Sequence, residues 1–149
     1  MIVLKFGGSS VENATAMSRV LDIVEDAASR DRVVLVCSAI KGCTDSLLEI
    51  GRSEDPEHLL EDLQDRHLKI IRRLFTGPDR ELATVDCKEI FSDIRCIPPT
   101  IEQFGEVLST RIIARKLHCE GFKTVWLDSR DLVTTRPGTT QADEKLTYP

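Results

Sequence analysis

The chain is 149 residues long, with 41% hydrophobic and 30% charged residues and a formal net charge of −5. That length suits about one domain able to bury a core, and the balance is that of a folded chain rather than a disordered one. An acidic balance with only 5% aromatic residues argues against a face for nucleic-acid backbones or stacked bases. The longest apolar run, Val33 to Cys37, is far below the roughly 18 residues of a membrane span.

In chain order, residues 2–6 read as a short strand that ends at Gly7-Gly8. A helix follows Ser9-Ser10, with Met17, Val20, Leu21, Val24, Ala27 and Ala28 recurring at the spacing of one helical face. Val33 to Cys37 form a second strand, continuously apolar, as suits a parallel strand covered on both faces. Strand, helix, strand makes a right-handed βαβ unit. The loop Ser38-Ala39-Ile40-Lys41-Gly42-Cys43-Thr44 comes next, with Thr44 as N-cap of a short helix. Asp55-Pro56 opens a longer helix whose stripe is Leu59, Leu60, Leu63, His67, Ile70, Ile71 and Leu74, and Thr76-Gly77-Pro78 stops it. Residues 79–95 read as helical. Thr100 is positioned to cap a further helix with Ile101, Phe104, Leu108 and Ile112 on one face, ended by Gly121. Phe122 to Leu127 reads as a third strand, ending at Asp128, and the tail from Thr134 to Pro149 is polar and turn-rich. The expected fold class is α/β, three-layer αβα with a mostly parallel sheet.

In an open parallel sheet ligands collect beyond the carboxyl ends of the strands. Those ends carry Lys5 with Gly7-Gly8, then Ser38 with Gly42 and Thr44, then Asp128. Adjacent glycines let bare amides face an anion, Ser9 and Ser10 add hydroxyls, the next helix adds its positive end, and Lys5 adds a cation. Neither the GxxxxGK[ST] nor the GxGxxG spacing is present. Taken alone, Lys-x-Gly-Gly is also an ordinary tight turn with a solvated lysine. Ser38 and Thr44 flank a loop that suits a small polar ligand, or plain turn and capping chemistry. Gly105 inside a helix costs about 1 kcal/mol against alanine, which close backbone approach would explain. Glu106 beside it could hold an ammonium group or simply be solvated. Asp128 could orient a site lysine or cap the next turn.

The five cysteines, Cys37, Cys43, Cys87, Cys96 and Cys119, are odd in number and too scattered for a disulfide framework or a zinc site, so they read as reduced thiols. His58, His67 and His118 have no partner at metal-ligand spacing. His67 reads as a core histidine, and no metal site is expected. Arg66, Arg72, Arg73 and Arg80, balanced by Glu61, Asp62, Asp65 and Asp79, read as a solvated helix face. The N-terminal apolar stretch is too short for a secretion signal, so the expected compartment is the cytoplasm.

Four stretches together resemble the N-terminal part of aspartokinases, in the amino acid kinase family. They are Lys5-Phe6-Gly7-Gly8-Ser9-Ser10-Val11, the Ser-Ala-x-x-Gly-x-Thr pattern ending Val34 to Thr44, Phe104-Gly105-Glu106-Val107-Leu108-Ser109, and Leu127-Asp128-Ser129-Arg130-Asp131. The resemblance implies ATP-dependent phosphorylation of the side-chain carboxylate of L-aspartate, with magnesium (Mg2+) accompanying ATP. It makes Lys5, Gly7 and Gly8 catalytic, with Ser9 joining them around phosphate, and Ser38, Thr44 and Glu106 contacts to aspartate. It also implies an N-terminal, acceptor-binding portion of the kinase domain over residues 1–149. The nucleotide-binding half and the regulatory ACT domains would then lie elsewhere, and some relatives carry a fused homoserine dehydrogenase. The chain alone is expected to have little kinase activity, and the full-length protein to be a homo-oligomer with neither nucleic acid nor membrane as partner. Two alternatives stay open. One is another amino acid kinase with a different acceptor. The other is a non-catalytic assembly module, pairing through the apolar stripe of residues 56–95.

Overall fold

The computed structural model describes residues 1–96, 101–134, 136 and 142–143. Two strands, β1 (Ile2–Phe6) and β2 (Val33–Cys37), pair in parallel with Ile2 opposite Val33 and Phe6 opposite Cys37. Helix α1 (Ala14–Ala28) makes the crossover between them. A short 3₁₀ helix, Gly8–Val11, separates β1 from α1 and buries Val11 completely. The start of α1 is fixed by Asn13, whose side-chain oxygen accepts a hydrogen bond from the Ala16 amide at 2.9 Å.

The parallel pair with its crossover helix belongs to the expected α/β, αβα class, and in this chain one face of the pair is open. Burial alternates along both strands. Ile2, Leu4, Phe6, Leu35 and Cys37 turn toward the helical layer, while Val3, Val34 and Val36 are 61%, 44% and 48% exposed. The open face carries valines rather than a row of polar side chains, as suits strands that are apolar on both faces. The third strand is corrected. Burial alternates along residues 122–127, with Phe122, Thr124 and Trp126 turned inward and Val125 and Leu127 outward, yet they form no ladder among the described residues. Side-chain alternation is a property of the segment, whereas a strand needs a neighbour's amides and carbonyls at the right register.

Helix α2 (Cys43–Ile50) follows the loop after β2, and α3 (Pro56–Leu74) begins on the expected proline. Gly77, at φ +53°, opens α4 (Gly77–Cys96). Helix α5 (Phe104–Cys119) is entered through a 3₁₀ turn at Ile101–Gln103 and is ended near Gly121, at φ +90°. Thr100, the expected cap, lies outside the described residues. A last short helix, α6, spans Ser129–Leu132.

The stripe of α3 meets that of α4, and both join one core containing Ile71, Phe75, Phe91 and Leu108. The apolar stripe of residues 56–95, read as a surface for a partner, is therefore consumed inside the chain. Leu60, Leu63, Ile70, Ile71 and Leu74 are all buried, and Ala83, Cys87, Ile90, Phe91 and Ile94 face them. No helix among the described residues is long and apolar enough to cross a membrane.

Candidate active site

The carboxyl end of β1 is built for close approach. A Cβ added at Gly8 would lie 2.9 Å from the Ala39 carbonyl oxygen and 3.3 Å from the Lys41 nitrogen. Only a bare α-carbon lets the two strand ends touch there. The contact is stitched by backbone bonds: the Ser38 amide donates to the Phe6 carbonyl at 3.0 Å, and the Lys41 amide to the Gly8 carbonyl at 3.2 Å. Lys5 is exposed, and its Nζ lies 3.9 Å from where a Gly7 side chain would begin. The ammonium thus lies close to the Gly7 α-carbon. Ser9 is exposed just beyond, within the 3₁₀ turn.

The loop after β2 reverses at Gly42, whose φ of +77° suits glycine. Gly42, not Thr44, is the N-cap of α2, and no side chain caps that helix. Thr44 falls inside the first turn, half-buried. Threonine read as a cap from sequence because caps favour small hydroxyl residues. The left-handed glycine two positions earlier started the helix first.

Helix α5 closes the third side. A Cβ at Gly105 would lie 2.8 Å from Ala39 Cβ, 3.6 Å from Thr44 Oγ1 and 3.7 Å from Cys43 Sγ. The glycine in mid-pattern is thus explained by contact, as expected. Glu106 stands exposed in the first turn of α5. Ser109 is fully buried, and its one hydroxyl proton is shared between the Ser38 carbonyl at 2.9 Å and the Glu106 carbonyl at 3.1 Å. Ser38 and Glu106 are therefore tied through one side chain.

Electrostatics agree with this convergence. Burial pushes the Cys43 thiol up to about 12, with Arg66 opposing and the Glu106 carboxylate adding to the rise. Burial likewise pushes Cys37 up to about 11 and Cys87 up to about 12. All five cysteines are free thiols.

Asp128 takes the capping role. Its carboxylate accepts from the Arg130 amide at 2.9 Å and from the Arg130 guanidinium at 2.6 and 3.0 Å. The Arg130 bond holds that carboxyl below its usual range. Arg130 in turn lies 4.8 Å over the Phe104 ring, which fastens this segment to the start of α5. The position is close to the site, but the carboxylate is engaged by Arg130 rather than by Lys5.

Two contributors escape sequence reasoning. Ser109 left one signal, a small polar residue on an otherwise apolar helix face. Arg66 left none, because it sits in a run of balanced charges, yet its Nη2 donates to the Lys41 carbonyl at 2.6 Å. His67 is the core histidine the stripe implies, while His58 and His118 are exposed. Among the described residues no group of three or more His, Cys, Asp or Glu side chains could hold a metal ion.

Aspartokinase 1, chloroplastic, of Arabidopsis thaliana is 29% identical over 99% of this chain and 29% of its own length. An aspartokinase of Chlamydia trachomatis is 34% identical over 75% of this chain and 26% of its own. Among solved structures, E. coli aspartokinase III in complex with aspartate and ADP superposes with a TM-score of 0.77 at 25% identity, covering 99% of this chain and 36% of that one. The chain thus spans about a third or less of the relatives it matches. The profile of the amino acid kinase family matches residues 1–147, and the chain belongs to that family.

Proposed function

We propose that this chain is the N-terminal, acceptor-binding portion of an aspartate kinase. The reaction joins a side-chain carboxylate oxygen of L-aspartate to the γ-phosphorus of ATP. The bond from that phosphorus to the β-phosphate bridging oxygen breaks, giving 4-phospho-L-aspartate and ADP. The observation that carries the reading is the meeting of three segments at two glycines. Gly8 lies against Ala39 and Lys41, and Gly105 against Ala39 and Thr44. The match to aspartokinases, one of them solved with aspartate and ADP, supports that choice of acceptor and nucleotide.

In this reading the Lys5 ammonium offsets charge on the transferring phosphoryl group, and the amides of Gly7, Gly8 and Ser9 face its oxygens. A cation beside an anion at about 4 Å and an effective dielectric of 20 gains about 4 kcal/mol before desolvation. Bare glycine amides and a cation suit a polyphosphate, and magnesium accompanies ATP on its phosphates. Glu106 pairs with the substrate ammonium, and Ser38 and Thr44 offer hydroxyls to its carboxylates. Catalysis of this kind is positioning and charge stabilisation. The reading also assigns the chain to the cytoplasm, within a homo-oligomeric full-length enzyme.

An NMR titration of the chain tests the acceptor. L-aspartate is expected to shift the amides of residues 38–44 and 105–109. If L-glutamate moves them and L-aspartate does not, the acceptor is wrong. The isolated chain is expected to release little ADP, and vigorous aspartate-dependent release would overturn its assignment as an incomplete catalytic unit. In a catalytically complete chain, Lys5→Ala is expected to cost about 2.7–4 kcal/mol of transition-state stabilisation.

A further inference from the structure

Arg66 and His67 are consecutive residues of α3, and they reach the residues on either side of Gly42, Lys41 and Cys43. Arg66, part-exposed, donates Nη2 to the Lys41 carbonyl at 2.6 Å, and its Nη1 lies 3.8 Å from where a Gly42 side chain would begin. His67 is fully buried against the edge of the Phe91 ring. Its Nδ1 sits 2.8 Å from the Leu63 carbonyl, which can only accept, so Nδ1 carries the proton. Nε2 is then left as an acceptor, 3.9 Å from Cys43 Sγ, and the thiol donates to it. The two contacts bracket Gly42, the left-handed residue on which the loop turns. The Lys41 backbone is held on both sides, its amide by the Gly8 carbonyl and its carbonyl by Arg66.

We infer that Arg66, backed by His67, is a positioning residue for the acceptor loop. Neither touches the reacting atoms. Together they set where Gly42 turns and therefore where Thr44 stands relative to Glu106. The inference rests on the loop 38–44 being the acceptor's, as argued above. A glycine hinge without such a hold would sample many backbone conformations, and the substrate would have to order it on binding. A guanidinium suits the task because its fork can bond a carbonyl while the rest of the group stays in water.

The test compares the chain with Arg66→Ala, Arg66→Lys and, as a control on an exposed position of the same helix, Arg72→Ala. Backbone amide exchange is followed by NMR with and without L-aspartate. Arg66→Ala is expected to speed exchange at residues 41–44 about tenfold, and to weaken L-aspartate binding by a similar factor, the scale of one lost charge-assisted hydrogen bond. Amides of α4 should keep their rates, Arg66→Lys should recover part of both effects, and Arg72→Ala should change neither. A uniform rise across α3 and α4 would make Arg66 a general stabiliser and overturn the inference. An unmoved loop in a parent chain that takes L-aspartate would overturn it too, while leaving the acceptor reading intact. Loosening confined to the loop, in a parent chain that ignores L-aspartate, would uphold the hold by Arg66 and sink the acceptor reading instead.

Discussion

The α3–α4 pair and the seam beneath the candidate site hold together by opposite means. Along the helix pair, large side chains recur at helical spacing and fill one core, with Phe91, Ile71 and Phe75 essentially inaccessible. At the seam, cohesion comes from what is missing. Gly8 and Gly105 let backbone and Ala39 come together, and hydrogen bonds through Ser109 and Arg66 hold the result. The first region should suffer from losing atoms and the second from gaining them. A stable scaffold can therefore carry a site edge whose geometry depends on the absence of single methyl groups.

The largest expected effect is on the scaffold side. Phe91→Ala should lower unfolding free energy by about 3–5 kcal/mol, read from the urea midpoint, because it empties a fully buried volume. A loss below about 1 kcal/mol would mean that the helix pair collapses around the gap and that the contrast is overstated.

Next comes the pH dependence of the same region. His67 is held near 4 instead of the ordinary 6.5, by burial first, with Arg66 adding and the Leu63 bond opposing. As pH falls, the unfolded chain binds this proton before the folded one does. The stability from keeping the ring neutral is therefore complete above about pH 6.5 and is lost as pH falls toward 4. The loss should be on the order of 3 kcal/mol. Denaturation at pH 7, 5.5 and 4.5 would show it, and the slope should flatten in His67→Gln.

The seam sharpens the comparison from the other side. Gly105→Ala puts a methyl 2.8 Å from Ala39 Cβ, an overpacking expected to cost about 1–3 kcal/mol. The diagnostic is recovery. Ala39→Gly should remove the clash, so the double variant should be more stable than the two single losses predict when added. Gly8→Ala meets a carbonyl oxygen at 2.9 Å and backbone nitrogen behind it, so no side-chain partner can relieve it. Strictly additive behaviour at positions 39 and 105 would show that the seam is not under contact.

The smallest effect belongs to neither region. Asn13→Ala should cost about 1 kcal/mol through the lost cap of α1, visible as a small shift of the thermal midpoint. A larger loss would mean that the entry to α1 also braces the glycine turn of β1.

Helical periodicity reported the helix pair almost completely. Leu60, Leu63, His67, Ile70, Ile71 and Leu74 all went inside as their spacing implies, and the break at Gly77 followed from a local backbone preference. The glycines of the seam were legible as anomalies: Gly7-Gly8 at a strand end and Gly105 inside a helix each ask for a reason. The reason itself, a shared neighbour at Ala39, joins residues far apart in sequence, and no local pattern encodes that.

By itself, then, the sequence determined which segments are helical, which of their faces turn inward, and where the chain needs a bare α-carbon. These follow from periodicity and from steric limits that act within a few residues. Only the tertiary structure decided that residues 122–127 form no ladder among the described residues, that Gly42 starts α2, and that Arg66 leaves its charged run to hold Lys41. Each of those outcomes depends on what a distant segment offers, a ladder partner or a carbonyl to bond, and a residue's own chemistry leaves that choice open.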